Sequence, residues 1–277
     1  MKVKSLMLFI AAGWLWANPA HAHGNGPFIP VSFPADTVPD LTEQTEPTDV
    51  LRLPDGRTVE VEMHEEFTVY EDAAEEETRR KSPFACTTPV FAGKVRKLAK
   101  TVPHSGGRAK SFSSIADFLE WLPSDSSMKY GTPIDRSENS VRVPAEQRNI
   151  ILKKVWLHAV YREPDNDFHL ILCDKQVYDG EAALFSAEIS GLPDPSKVSN
   201  RTMSDLEDAR RSLTDKMGDL NCGRTYIFKK GGLPVKVRGS LFFDIHHAGH
   251  KHGRQGLDPQ SAWELHPVTD LIWLEEE

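Results

Sequence analysis

The feature that most constrains this chain is a run of dense, evenly spaced strand patterns that starts near residue 141 and reaches residue 273. Residues 150–161, 167–174 (DFHLILCD) and 184–189 (LFSAEI) are rich in aliphatic, aromatic and β-branched side chains, as buried strands are. Glu163-Pro-Asp-Asn166 reads as the turn between the first two. A helix follows. Ser204 and Glu207 have capping-box spacing, Leu206, Ala209, Arg210 and Leu213 recur on one face, and Gly218 can close it. Residues 226–228 can add a short strand. Residues 235–243 and 263–273 supply the fourth and fifth long strands.

The resulting order is β-β-β-α-β-β. That is the order of an OB-fold, a five-stranded Greek-key barrel with its helix between strands three and four. The expected fold is mainly β with one or two helices: an OB-like barrel over 141–277 behind a less ordered N-terminal half.

The N-terminal half divides by composition. Lys2 and Lys4, the eleven apolar residues 6–16 and Ala20-His21-Ala22 have the layout of a signal peptide cut after residue 22. The apolar run is short for a membrane span. Periplasmic or secreted localisation is expected, with no transmembrane segment after cleavage. Residues 23–50, rich in Pro, Thr and acids, read as a disordered leader. Leu51, Leu53, Val59, Val61 and Met63 alternate across Pro54-Asp55-Gly56, a hairpin signal that needs a sheet to pair with. Residues 71–81 read as exposed helix or loop, and 82–110 as irregular. Residues 113–122 form an amphipathic helix with Ile115, Phe118, Leu119 and Leu122 on one face. The expected organisation is a small hairpin and helix region over 51–122, a Ser/Pro/Gly linker over 123–140, and the barrel.

Net charge is −8, and −10 once Lys2 and Lys4 are removed. Such a balance does not support nucleic acid as a partner. The charge is unevenly spread: residues 36–78 are acidic, and residues 79–110 hold nine basic side chains and no acid. The two segments can attract each other, or the basic one can meet an anionic partner. Of the three cysteines, the pairing of Cys173 with Cys222 within the barrel is preferred, leaving Cys86 free. No two cysteines have zinc-motif spacing.

Within the barrel, the segments DFHLIL, VRGSLFFD, HGRQG and WELHPV resemble a group of uncharacterised bacterial exported proteins. Their C-terminal domain runs D-x-H-L, F-F-D, H-G and E-L-H-P-V. The likeness covers residues ~141–274 and implies export and an OB-like domain. This chain lengthens the loop before His252 with HHAGHK.

Strand alternation sorts the polar groups. Asp167, His169, Glu188, Glu264 and His266 all oppose the main apolar set, and Asp244 ends the fourth strand. These six are the candidate catalytic residues. His246, His247, His250, His252 and His266 are the candidate metal ligands, with Zn²⁺ or Mn²⁺ as the divalent ion suited to imidazole and carboxylate. Two readings stay open: a carboxylate–histidine site, or a buried polar network that knits strands together. The expected function is a binding or interaction module built on the barrel. The alternative is a metal-dependent hydrolase, nuclease-like in the manner of staphylococcal nuclease relatives. Those share the OB topology and use carboxylates, calcium and paired arginines; Arg162 and Arg238 are the nearest counterparts. A mature N-terminal His23 could chelate copper as in lytic polysaccharide monooxygenases, but the Gly-Asn-Gly-Pro behind it gives no rigid frame. His64-Glu65-Glu66 starts like a zincin helix and lacks the second His. G-x-S-x-G, P-loop and C-x-x-C motifs are absent.

Overall fold

A computed structural model describes residues 49–65, 86, 88–249 and 256–275. The expected signal segment, His23, the leader up to residue 48 and the expected helix or loop at 71–81 lie outside the described residues. The elements run β1 (Asp49–Arg52), β2 (Thr58–Glu65), α1 (Lys97–Thr101), β3 (Lys110–Phe112), α2 (Ile115–Trp121), α3 (Asp125–Gly131), β4 (Asn149–Arg162), β5 (Phe168–Cys173), β6 (Leu184–Ile189), α4 (Asn200–Met217), β7 (Arg224–Phe228), β8 (Leu233–Phe243) and β9 (Trp263–Trp273).

The barrel closes through β4. This strand of 14 residues is interrupted between Leu152 and Val155 and between Leu157 and Ala159. Such bulges bend a strand, so its ends can serve different partners. β4 pairs antiparallel with β8 from Asn149 to Leu157 and with β5 from Trp156 to Arg162. β5 pairs with β6, β6 runs parallel to β9, and β9 pairs with β8. These five strands form the closed OB topology, with α4 between the third and fourth, as the strand order predicts.

Leu170, Leu172, Phe185, Ala187, Val235, Val237, Leu241, Phe243 and Leu265 belong to the main apolar core. Phe243 and Trp263 meet edge to face at 5.1 Å. α4 buries Leu206, Ala209, Leu213 and Met217 on one face. It starts a turn earlier than the Ser204 box suggests: Ser199 is the N-cap and accepts from the Thr202 amide. Gly218 closes it at φ 75°, where a left-handed residue favours glycine.

Several boundaries differ from expectation. The β1–β2 hairpin forms, but β2 pairs with β7 and β7 with β4, so the hairpin extends the barrel's own sheet. Residues 123–140 are no loose linker. Ser124 caps α3, Met128 is buried, and the Asp125 carboxylate accepts from Ser261 Oγ (2.6 Å) and the Ala262 amide (2.8 Å). Residues 45–277 make one compact unit. The disulfide joins Cys86 to Cys222, not Cys173 to Cys222; Cys173 is a buried free thiol on β5.

Residues 88–102, expected to be irregular, form a strap along the barrel. The Phe91 amide donates to Leu192 O, the Leu192 amide to Pro89 O and the Ala92 amide to Asp165 O. The strap passes so close to Gly191 that a Cβ there would lie 2.6 Å from Phe91 Cα. Further along, Arg96 is 1 % exposed and forks onto both Glu146 oxygens at 2.8 Å, so it is not available to an external anion. α1 follows. Arg142 donates to Leu241 O, to Val102 O and to the carbonyls of Ala99 and His266. Among the described residues, no helix is long and apolar enough to cross a membrane.

Candidate functional site

β5 and β6 are buried on both faces. One face is the apolar core. The other carries polar groups whose neighbours are fixed by strand register. His169 stands opposite Glu188, and Ser186 is aligned with Glu264 across the parallel β6–β9 pair. Two residues further along, Glu188 therefore comes beside His266. The β4–β5 turn brings Glu163, Asp165 and Asp167 to one end, and the β8–β9 loop brings Asp244 and His247 to the other. In an OB barrel these two loops and the adjoining strand face are where ligands bind.

The contacts form a continuous chain. His169 Nδ1 lies 3.0 Å from Glu188 Oε1 and 3.6 Å from Glu163 Oε1. His169 Nε2 is 3.3 Å from Ser186 Oγ. His266 Nδ1 lies 2.9 Å from Glu188 Oε2 and 3.7 Å from Glu264 Oε2, and its Nε2 is 3.2 Å from Asp167 Oδ2. His247 Nδ1 is 3.3 Å from Glu264 Oε1 and 3.6 Å from Asp244 Oδ2. The Phe242 ring covers His266 at 5.5 Å, with the Arg96 guanidinium 4.5 Å over its centroid.

Charge explains the protonation behaviour. Burial opposes a charged His169, but its bonds to Glu163 and Glu188 overcome this and push it up to about 10. Burial likewise opposes a charged His266; the Glu188 charge and the contacts with Asp167, Glu188 and Glu264 hold it well above the usual histidine range. Glu188 resists the upward push of burial because His266 and His169 flank it, and it sits well below the carboxylate range. Burial raises Asp167 despite His266. Burial, Asp167 and Glu163 raise Asp165 strongly. Burial would raise Asp244, but His247 and Lys100 keep it low. His247, a third exposed, is raised by Asp244 and Glu264 against its burial.

All six candidate catalytic residues come together, with His247 beside them. His246 touches the cluster only at Asp244: its amide donates to Asp244 Oδ1 (2.9 Å) and its charge helps hold that carboxyl low, while its ring stands 2.7 Å from the Arg136 guanidinium. His250 and His252 lie outside the described residues. Arg162 and Arg238 do not form a pair. Arg162 donates to Leu220 O and Cys86 O at 2.8 Å, and Arg238 is exposed on β8 opposite Asp270. Glu163, Asp165 and Lys100 belong to the site, and no motif in the sequence marks them. The acids sit in an ordinary turn motif. Lys100 is one lysine of a basic run, yet its charge acts on Asp165, Asp167, Glu188 and Asp244.

Three groups here can hold a metal ion: Glu163–His169–Glu188, Asp167–Glu188–His266 and Asp244–His247–Glu264, each with ligand atoms within 4.8 Å of one another. Comparison with family models, with curated proteins and with solved structures finds no match.

Proposed function

We propose that this chain is an exported binding module that holds a divalent cation on the ligand face of its OB barrel. The observation that carries the reading is the charge gathered between the β4–β5 and β8–β9 loops. Glu163, Asp165, Asp167, Glu188, Asp244 and Glu264 face three histidines and Lys100. Carboxylates and imidazoles gathered this way are the donor types that hold divalent cations. Carboxylate and imidazole together suit Mn²⁺ or Zn²⁺. The disulfide supports export, because such bonds persist in oxidising compartments, and so do the signal-peptide layout and the likeness to bacterial exported proteins. A hydrolytic metal needs a coordination position open to substrate. Asp167, Glu264 and His266 are 0 % exposed, which favours holding an ion over turning over a substrate.

Protein purified without a His-tag should retain a divalent metal detectable by plasma mass spectrometry. After stripping with chelator, adding Mn²⁺ or Zn²⁺ at a hundredfold over Kd should stabilise the fold by about 2.7 kcal/mol. A chain that retains no ion, and whose melting temperature neither ion moves, would refute cation binding.

A further inference from the structure

Each carboxylate at the centre of the cluster has one oxygen held and one left over. Asp167 Oδ1 accepts from the Gly191 amide at 2.6 Å. Glu188 Oε1 is held by the His169 ring at 3.0 Å, and Glu264 Oε1 by the His247 ring at 3.3 Å. The second oxygens, Asp167 Oδ2, Glu188 Oε2 and Glu264 Oε2, have no hydrogen-bond partner. All three turn towards His266, at 3.2, 2.9 and 3.7 Å from its ring nitrogens. Neither ring nitrogen meets hydrogen-bond geometry with any of them. All four side chains are at most 4 % exposed. Buried polar atoms in native folds nearly always find partners. Asp167 Oδ2, Glu188 Oε2 and the His266 ring lack one and lie within 4.8 Å of one another, which marks the place of a missing group.

Resting on the cation-binding reading above, we propose that Asp167, Glu188 and His266 are ligands of one divalent cation. His169 and the Gly191 amide are positioning groups. They fix one oxygen of each carboxylate so that the other faces inward, as outer-shell partners of metal ligands do. Two carboxylate oxygens and one imidazole nitrogen suit an ion of the Mn²⁺ or Zn²⁺ class. The other two triads are then not separate ion sites, because each relies on a carboxylate oxygen already engaged by a histidine. His247 contacts Asp244 and Glu264 and so stands outside this set.

The test uses the full chain, untagged and stripped with chelator, titrated with Mn²⁺ and Zn²⁺ while bound ion is counted. One ion per chain is expected. Asp167→Asn and His266→Gln should each weaken binding by more than about a hundredfold. His169→Ala should keep the stoichiometry and weaken binding by about 10- to 100-fold. A triple variant with His246→Ala, His250→Ala and His252→Ala should bind as the wild type does. An ion that survives Asp167→Asn and His266→Gln, or departs with the triple variant, overturns this seat and leaves cation binding standing. No ion on the wild type defeats both. Because buried substitutions can unfold a chain, a second readout uses the wild type alone. Electron spin-echo spectra of the Mn²⁺-loaded protein should show one coordinated imidazole; none or two would overturn the assignment.

Discussion

Arg142 ties β8, the α1 region and β9 at one point by donating to carbonyls on all three. Burial pushes its guanidinium down to about 9, against the pull of Glu146 and with the push of Arg96. A lysine cannot reproduce a planar fork of donors. Arg142→Lys should cost about 1–3 kcal/mol through carbonyls left unpaired, read as a lower urea midpoint; an unchanged midpoint would contradict this. His158 gives a pH prediction away from the cluster. Its Nε2 donates to Lys175 O at 2.8 Å, and the Tyr178 ring meets it edge on at 6.4 Å. Burial lowers its pKa despite that carbonyl bond. A depressed folded value means the native state prefers neutral His158. The associated stability is present above the unfolded value of ~6.5 and is lost as pH falls below it. Calorimetry of wild type against His158→Gln should show a difference that is flat above pH ~7 and shifts against the wild type on acidification. A difference independent of pH would show that His158 titrates alike in both states.

At the scale of elements, the passage of the strap over Gly191 makes the sharpest prediction. Gly191→Ala sets a Cβ against Phe91 backbone, which has no flexible end to yield. The cost should be about 1–3 kcal/mol, with faster proteolysis near the strap; a melting temperature equal to wild type would show that the strap shifts freely. Strands are the elements legible in the sequence. In β5, the alternation of Phe168, Leu170 and Leu172 with His169 marks both the core and the polar face, because a period of two is local information. α1 is not legible. Five residues of Lys97–Thr101 do not make a stable helix alone, and this one is held by Arg142 and by the Leu98 amide on Glu138 O. Similarly, the Ser204 box has the right spacing, but Ser199 caps first. Strand order alone leads to the barrel and to its polar face. Lys100 and Asp165 join the site only through tertiary packing, so spacing holds no trace of them.

At the scale of the molecule, the Cys86–Cys222 bridge spans 136 positions and fastens the start of the strap to the loop before β7. Opening it should cost about 2–5 kcal/mol, seen as a lower melting temperature with reductant; no change would mean the strap is secured by its hydrogen bonds alone. Limited proteolysis should spare 123–140, where Asp125 and Met128 are anchored; rapid cutting there would restore the linker expected from composition. The parallel β6–β9 pairing, finally, brings Ser186 and Glu264 side by side across 78 positions of chain. Contacts so distant in sequence form late and slowly. Until the last strand docks, no inner coordination sphere exists to fill. If the chain is exported as proposed and crosses a membrane unfolded, its proposed ion would be chosen by the compartment in which the barrel closes, since availability decides metal occupancy as much as affinity does.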